Sequence, residues 1–109
     1  IFKAEALNGI GDTDGAMAAL NVLEKRARGI DNYYMGLDRD GVTNAIIDEV
    51  KMEFVAEGKT WWTYLRNNKE FEQISSLVGR SEETNVTLWP VHQNSLNTNK
   101  NIYQTEGYK

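Results

Sequence analysis

Apolar residues between positions 43 and 67 recur at steps of three and four, so they share one side of a helix. The pattern predicts one long helix that begins at an N-cap residue, Thr43. Gly58 lies on the apolar side, where a glycine costs roughly 1 kcal/mol relative to alanine. We therefore expect Gly58 to let another backbone approach closely or to leave room for Trp61 and Trp62. The apolar positions are Ile46, Ile47, Val50, Phe54, Gly58, Trp61, Trp62 and Leu65.

Two shorter helical segments precede the long one. The first ends in a turn rich in glycine and aspartate. Asp12, Thr13 or Asp14 can cap the second segment, and Gly29 can end it. Small alanines on both segments permit close packing, so the pair is predicted to form an antiparallel hairpin similar to one tetratricopeptide unit. The buried side of the first segment is expected to contain Phe2, Ala6, Leu7 and Ile10.

The remaining segments complete a mainly α fold in one domain, residues 1–109. A short helix with apolar residues on one side is expected before Gly79, and the composition after Arg80 changes to asparagine, threonine and glutamine. Such a polar tail is expected to wrap over the helices. The predicted organisation is a helical hairpin in residues 1–29, a loop in 30–42, the long helix and a short helix in 43–79, and an extended tail in 80–109.

Composition excludes several classes of function. The net charge is -4, and the longest basic cluster is Lys25-Arg26-Ala27-Arg28, so nucleic acid is not expected as a partner. The absence of cysteine removes disulfides and thiolate metal sites. His92 is the one histidine of the chain, and we expect it to hydrogen-bond to the backbone of the tail. No metal and no cofactor are predicted.

Three separated motifs carry a resemblance to a known family. Segments 4–8 and 20–29 precede the long helix, and Trp89-Pro90 lies in the tail. In order and spacing these motifs resemble the carboxyl-terminal part of the SusD/RagB family of outer-membrane nutrient-binding lipoproteins. The motif of the long helix consists of Glu49, Glu53, Glu57, Gly58, Trp61, Trp62 and Arg66.

The resemblance implies the C-terminal portion of a larger, mostly helical lipoprotein at the bacterial cell surface. Such a protein captures oligosaccharides or polysaccharides for a TonB-dependent transporter in the outer membrane. Its lipid anchor would lie upstream of Ile1 and would provide the membrane attachment. The residues present here are then expected to serve as scaffold, without enzymatic activity. An alternative is a helical protein-interaction module that docks onto a transporter or another partner and has no ligand site of its own.

Three glutamates of the long helix are candidates for chemistry. Glu49, Glu53 and Glu57, spaced by four, could suggest the carboxylate pair of a glycosidase, but we expect a structural role. Lys51 and Arg66 are their expected partners, with backbone amides of the tail as an alternative.

Aromatic residues offer a different kind of site. Flat rings can stack on the C–H faces of sugars, although Trp61, Trp62 and Trp89 are expected to pack against the helices or the tail. Tyr33 and Tyr34 lie in a loop bounded by glycine and aspartate, which makes them the predicted ligand-binding residues.

Overall fold

The computed structural model describes residues 1–83 and 85–108. This part of the chain is mainly helical and contains no β-strand, which confirms the predicted fold class. It forms two compact units, Ile1–Asn67 and a second unit that begins at Asn68. The prediction of one domain with the tail wrapped over the helices stays a prediction. The helices are α1 (Phe2–Gly9), α2 (Thr13–Arg28), α3 (Arg39–Glu53), α4 (Lys59–Arg66), α5 (Glu70–Gln73) and α6 (Gln93–Thr98), with a 3₁₀ turn at Ser75–Leu77 between the last two.

Helices α1 and α2 form the predicted hairpin. Asp12 is the N-cap of α2, and its side chain accepts a hydrogen bond of 2.9 Å from the amide of Gly15. Gly29 ends α2 in the left-handed conformation, with a φ of 72°, as C-terminal glycines commonly do. The sequence therefore contained enough information to predict where this helix starts and ends.

The buried side of α1 differs from the prediction. Ala4 and Asn8 are buried, whereas Phe2 and Ile10 are exposed. Asn8 donates hydrogen bonds of 3.0 Å to the carbonyl of Arg39 and 2.9 Å to the hydroxyl of Thr43, both in α3. A buried amide thus links α1 to α3, and a count of apolar spacing cannot detect it.

The core of the first unit lies where α1, α2 and α3 meet. Its centre consists of branched side chains without solvent exposure, Leu20 of α2 and Val42, Ile46 and Val50 of α3. Burying side chains of this size is the main favourable contribution to folding, at roughly 1.5–3 kcal/mol each. Helix α4 packs against α3 and completes the first unit.

Helix α3 begins four residues before the predicted cap. Asp38 is the N-cap, and its side chain accepts a hydrogen bond of 2.8 Å from the amide of Gly41. The prediction that Thr43 caps the helix is wrong, because Thr43 is buried inside α3 and donates to the carbonyl of Arg39. Aspartate is a strong N-cap, and Asp40 adds a favourable negative charge in the first turn.

The predicted long helix is two helices. Helix α3 ends at Glu53, and Ala56 and Gly58 adopt left-handed conformations before α4, with φ of 64° and 68°. Left-handed residues cannot continue a right-handed helix, so the chain turns there. No atom lies within 4 Å of a Cβ added at Gly58, so the predicted close approach of another backbone is wrong. Gly58 instead serves the turn by its positive φ.

Replacing Gly58 with alanine is expected to lower the free energy of unfolding by about 1–2 kcal/mol, the cost of a left-handed non-glycine residue. The matched control is Gly9→Ala in α1, where an added Cβ also meets no atom within 4 Å and φ is not positive. That control is expected to be neutral or slightly stabilising. Urea denaturation followed by circular dichroism measures both. Equal stability of Gly58→Ala and the natural chain would disprove the conformational argument.

The second unit contains short helices and a closing segment tied by side chains. The amide group of Gln104 donates to the carbonyl of Val91 at 3.1 Å and accepts from its N–H at 2.7 Å. Thr105 donates to the carbonyl of Trp89 at 2.8 Å. His92 accepts a hydrogen bond of 3.1 Å from the amide of Asn94 at the start of α6, which confirms its predicted bonding to the backbone. The polar composition of α6 gave no apolar periodicity from which to predict this helix.

Within the described residues, none of the helices combines the length and apolar character required to cross a membrane.

Candidate functional site

A groove on the first unit lies between α1 and the end of α4. Its volume is about 500 Å³. A pocket in which a few polar groups converge beside apolar surface is the most common form of a ligand site. The lining residues are Phe2, Glu5, Ala6, Gly9, Arg66 and Asn67.

The polar side of the groove is a network of three planar side chains. Arg66 donates two hydrogen bonds to the carboxylate of Glu5, from Nε to Oε1 at 2.9 Å and from Nη2 to Oε2 at 3.0 Å. Asn67 donates a third, from Nδ2 to Oε1 at 2.9 Å. Bidentate pairing of this kind fixes the geometry of both partners. The bonding to Glu5 also raises the pKa of Arg66, so the guanidinium stays charged.

Thr63 holds the network from the α4 side. Its backbone carbonyl accepts a hydrogen bond of 2.9 Å from Asn67, and its hydroxyl accepts one of 3.3 Å from Arg66. Thr63 itself has no solvent exposure. The polar side chains of the groove are therefore oriented before any ligand arrives, which reduces the entropy cost of binding.

An aromatic ring forms the apolar side of the groove. Phe2 is 48% exposed. Its ring stacks on that of Phe54, with centroids 5.6 Å apart and an angle of 9° between the planes. The guanidinium carbon of Arg66 lies 5.8 Å from the Phe2 centroid. Ala6 and Gly9 are small and exposed, so they leave room beside the ring.

Polar and apolar groups combined in this way suit a polyhydroxylated ligand. A sugar ring presents apolar C–H surfaces together with hydroxyls that both donate and accept hydrogen bonds. An aromatic ring packs well against the C–H surfaces. The carboxylate, guanidinium and amide of the groove can form hydrogen bonds with the hydroxyls. Among the predicted site residues only Arg66 lines this groove. Phe2, Glu5 and Asn67 were missed, because 61 residues separate Glu5 from Arg66 and no local pattern connects them.

The two tyrosines of the connector differ in their surroundings. Tyr33 is about half exposed, and the guanidinium carbon of Arg28 lies 5.1 Å from its ring centroid. Tyr34 is partly buried, and its hydroxyl donates a hydrogen bond of 2.6 Å to Glu49. The side chain of Asn21 binds the backbone N–H and carbonyl of Tyr34, at 2.8 and 2.9 Å. Tyr34 thus anchors the connector, while its predicted role and that of Tyr33 in ligand binding stay predictions.

A buried carboxyl pair lies beneath this connector. Glu24 and Glu49 are only 1% and 3% exposed. The Nε atom of Arg28 lies 3.2 Å from a carboxylate oxygen of Glu24 and balances part of the charge. Burial raises the pKa of Glu49, and the neighbouring Glu24 also raises it, while the hydrogen bond from Tyr34 acts in the opposite direction. Burial and Glu49 together raise the pKa of the Tyr34 hydroxyl.

The raised pKa of Glu49 predicts a definite dependence of stability on pH. A carboxyl group whose pKa is higher in the folded state stabilises the fold fully below its unfolded pKa, and this contribution is lost as pH rises through the folded pKa. Glu49→Gln removes the titration. The variant is expected to gain stability relative to the natural chain as pH rises from 4 to 7, with no gain near pH 4. Urea midpoints at several pH values measure this, and a gain independent of pH would contradict it.

The acidic residues of the family motif have structural surroundings. Glu53 forms an ion pair with Arg26 of α2, and Glu57 is exposed in the turn before α4. Lys51 lies 3.3 Å from Asp48, and Arg66 pairs with Glu5 rather than with the acids of the motif.

The tryptophans are less buried than expected. Trp61 is partly buried and Trp62 is exposed. Trp89 is 85% exposed, and the adjacent Pro90 is exposed as well. The prediction that Trp62 and Trp89 pack against other elements is therefore wrong. Trp89 lies in a segment held through its backbone.

Over residues 1–83 and 85–108, no group of three or more histidine, cysteine, aspartate or glutamate side chains is arranged to hold a metal ion.

Comparison with known proteins identifies the family. The model of the SusD family matches residues 2–108, and the chain belongs to this family. A curated relative, SusD-like protein P38 of Formosa agariphila, is 28% identical over 116 residues. The match covers 99% of this chain and 22% of the relative, so the chain spans about a fifth of that relative's length. No solved structure matches the chain significantly.

Proposed function

We propose that this chain is the C-terminal scaffold portion of a SusD-like cell-surface lipoprotein that binds glycans. The full-length protein would capture oligosaccharides for a TonB-dependent transporter of the bacterial outer membrane, and a lipid anchor upstream of this chain would hold it there. Membership of the SusD family and the small share of the relative that the chain covers support this role.

The observation that carries the proposal for this chain itself is the groove beside α1. It combines a half-exposed aromatic ring, Phe2, with the oriented side chains of Glu5, Arg66 and Asn67. These are the components that recognise a sugar without reacting with it. We propose that the groove contributes one contact region to glycan capture.

Binding without catalysis is the favoured mode of action. Hydrolysis of a glycoside needs two carboxyl groups about 5–9.5 Å apart on opposite sides of the bond that breaks. Glu49 is buried and accepts a hydrogen bond from Tyr34, and Glu53 is paired with Arg26. Two of the three acids of the motif thus have structural partners, which supports a scaffold role for them.

Calorimetric titration with a panel of oligosaccharides tests the proposal. Arg66→Ala is expected to weaken binding at least tenfold, because it removes hydrogen-bond donors and releases Glu5. The matched control is Arg80→Ala, which breaks an exposed pair with Glu83 three residues away and leaves the groove intact. Absence of binding to every glycan, or equal binding by Arg66→Ala and the natural chain, would contradict a contact in this groove.

The alternative function is protein interaction without a ligand site. One observation favours it, since Trp89 and Tyr103 of the second unit are 85% and 84% exposed. Exposed aromatic residues are common in the contact surfaces of protein complexes. Trp89→Ala would then abolish association with the transporter without affecting glycan binding, and pull-down with the purified transporter measures this.

A further inference from the structure

We propose that the groove between α1 and α4 discriminates against acidic glycans and selects uncharged sugars. This inference rests on the proposed function, because it names the class of glycan that the same groove accepts. Its basis is the distribution of charge among the six lining residues. Only Glu5 and Arg66 are charged, and they are paired with each other.

The cation of the groove is already compensated. Arg66 uses both Nε and Nη2 on the two oxygens of Glu5, at 2.9 and 3.0 Å. A uronate or sulfate that used this same bidentate edge would have to displace Glu5, whose side chain is only 14% exposed and is also bound by Asn67. An acidic ligand that bound Nη1 instead would leave the pair in place and would meet a cation whose charge Glu5 already balances. The carboxylate of Glu5 would repel it at short range.

Uncharged hydroxyls meet no such obstacle. A guanidinium has five N–H groups, and a carboxylate has about four lone-pair positions. Within the described residues, the hydrogen bonds of Arg66 involve only Nε and Nη2, so the two N–H groups of Nη1 remain available. Neighbouring hydroxyls can accept from Nη1 and donate to Glu5 without disturbing the pair. The net charge of -4 adds a weak repulsion of anions at longer range.

Matched pairs of glycans provide the test. Hexaoses of glucose, mannose and galactose are titrated into the chain beside the hexamers of the corresponding uronic acids, which differ at C6 of each ring. All titrations are made at pH 7 and constant ionic strength. At least one uncharged hexaose is expected to bind, and its uronic counterpart is expected to bind at least tenfold more weakly.

Glu5→Gln removes the compensating charge with little change in shape. The freed Arg66 is expected to bind the uronic hexamer at least tenfold more tightly than in the natural chain. The preference for the uncharged hexaose over its uronic counterpart therefore narrows or reverses. Glu53→Gln is the matched control, since it changes the net charge equally and breaks the ion pair with Arg26 away from the groove. The preference of Glu53→Gln for uncharged over uronic hexamers is expected to equal that of the natural chain.

A second variant keeps the test decisive if Glu5→Gln folds poorly. Ala6 is exposed in α1 and lines the groove, so Ala6→Lys adds a positive charge without breaking the pair. It is expected to strengthen binding of the uronic hexamer severalfold, with circular dichroism to confirm folding.

The outcomes separate the two proposals. Equal affinity of the natural chain for both members of each glycan pair would overturn the selection of uncharged sugars and leave glycan binding intact. An unchanged preference in both Glu5→Gln and Ala6→Lys would also overturn it. Failure of every hexaose and every uronic hexamer to bind would refute the groove as a glycan contact and the selection together.

Discussion

Replacing Leu20 with alanine is expected to lower the free energy of unfolding of the first unit by about 2–5 kcal/mol. Leu20 has no solvent exposure and contacts the cluster formed by α1, α2 and α3. The substitution removes the apolar transfer energy and leaves a cavity that packed neighbours cannot fill completely. Small domains have total stabilities of about 5–15 kcal/mol, so this loss is a large fraction. Urea denaturation followed by circular dichroism measures it.

The matched control for Leu20 is a second apolar residue of the same helix. Val22 is 68% exposed, and Val22→Ala is expected to change stability by less than about 0.5 kcal/mol. Similar effects of the two substitutions would show that α2 does not bury the side that contains Leu20.

The second large effect concerns the tyrosine that anchors the connector. Tyr34→Phe is expected to cost about 1–3 kcal/mol, because the buried carboxyl group of Glu49 loses its donor at 2.6 Å. The loss is expected to be larger at pH 7 than at pH 4, since the hydrogen bond from Tyr34 favours the charged form of Glu49. Urea midpoints at the two pH values measure both expectations.

Tyr33→Phe is the control for Tyr34→Phe. Tyr33 is adjacent in sequence and half exposed, and the perpendicular contact between the two rings, with centroids 4.9 Å apart, survives in both variants. Its stability is expected to stay within about 0.5 kcal/mol of the natural chain. If the two substitutions cost the same, the hydroxyl of Tyr34 does not support the fold through Glu49.

The stability effect expected at Tyr34 follows from the buried carboxyl pair. Glu24 and Glu49 are both buried, and Asn21 and Tyr34 tie the connector to the helices on either side of it. A buried polar network of this kind contributes to a unique arrangement when its members are satisfied, and it destabilises the fold when one donor is removed. The connector between α2 and α3 therefore has a defined conformation although it contains no regular secondary structure.

Local patterns in the sequence were sufficient to predict the structure wherever a few neighbouring residues determine it. The terminal Gly29 and the mainly helical class were predicted correctly, and Asp12 is one of the three capping residues that were predicted, because capping and helical periodicity act over one or two turns. The motifs around Trp61 and Trp89 were also sufficient to indicate the SusD family, which the match over residues 2–108 confirms.

Only the tertiary structure decided the features that depend on distant residues. The pair of Glu5 and Arg66 joins positions 61 residues apart, and Asn8 links α1 to α3 by hydrogen bonds. The turn at Gly58 interrupts a periodic pattern that continues across it. Periodicity records which residues can share a side of a helix. Whether the helix continues and which partners its side chains meet depends on the packing free energy of the whole unit, to which each local segment contributes only a part.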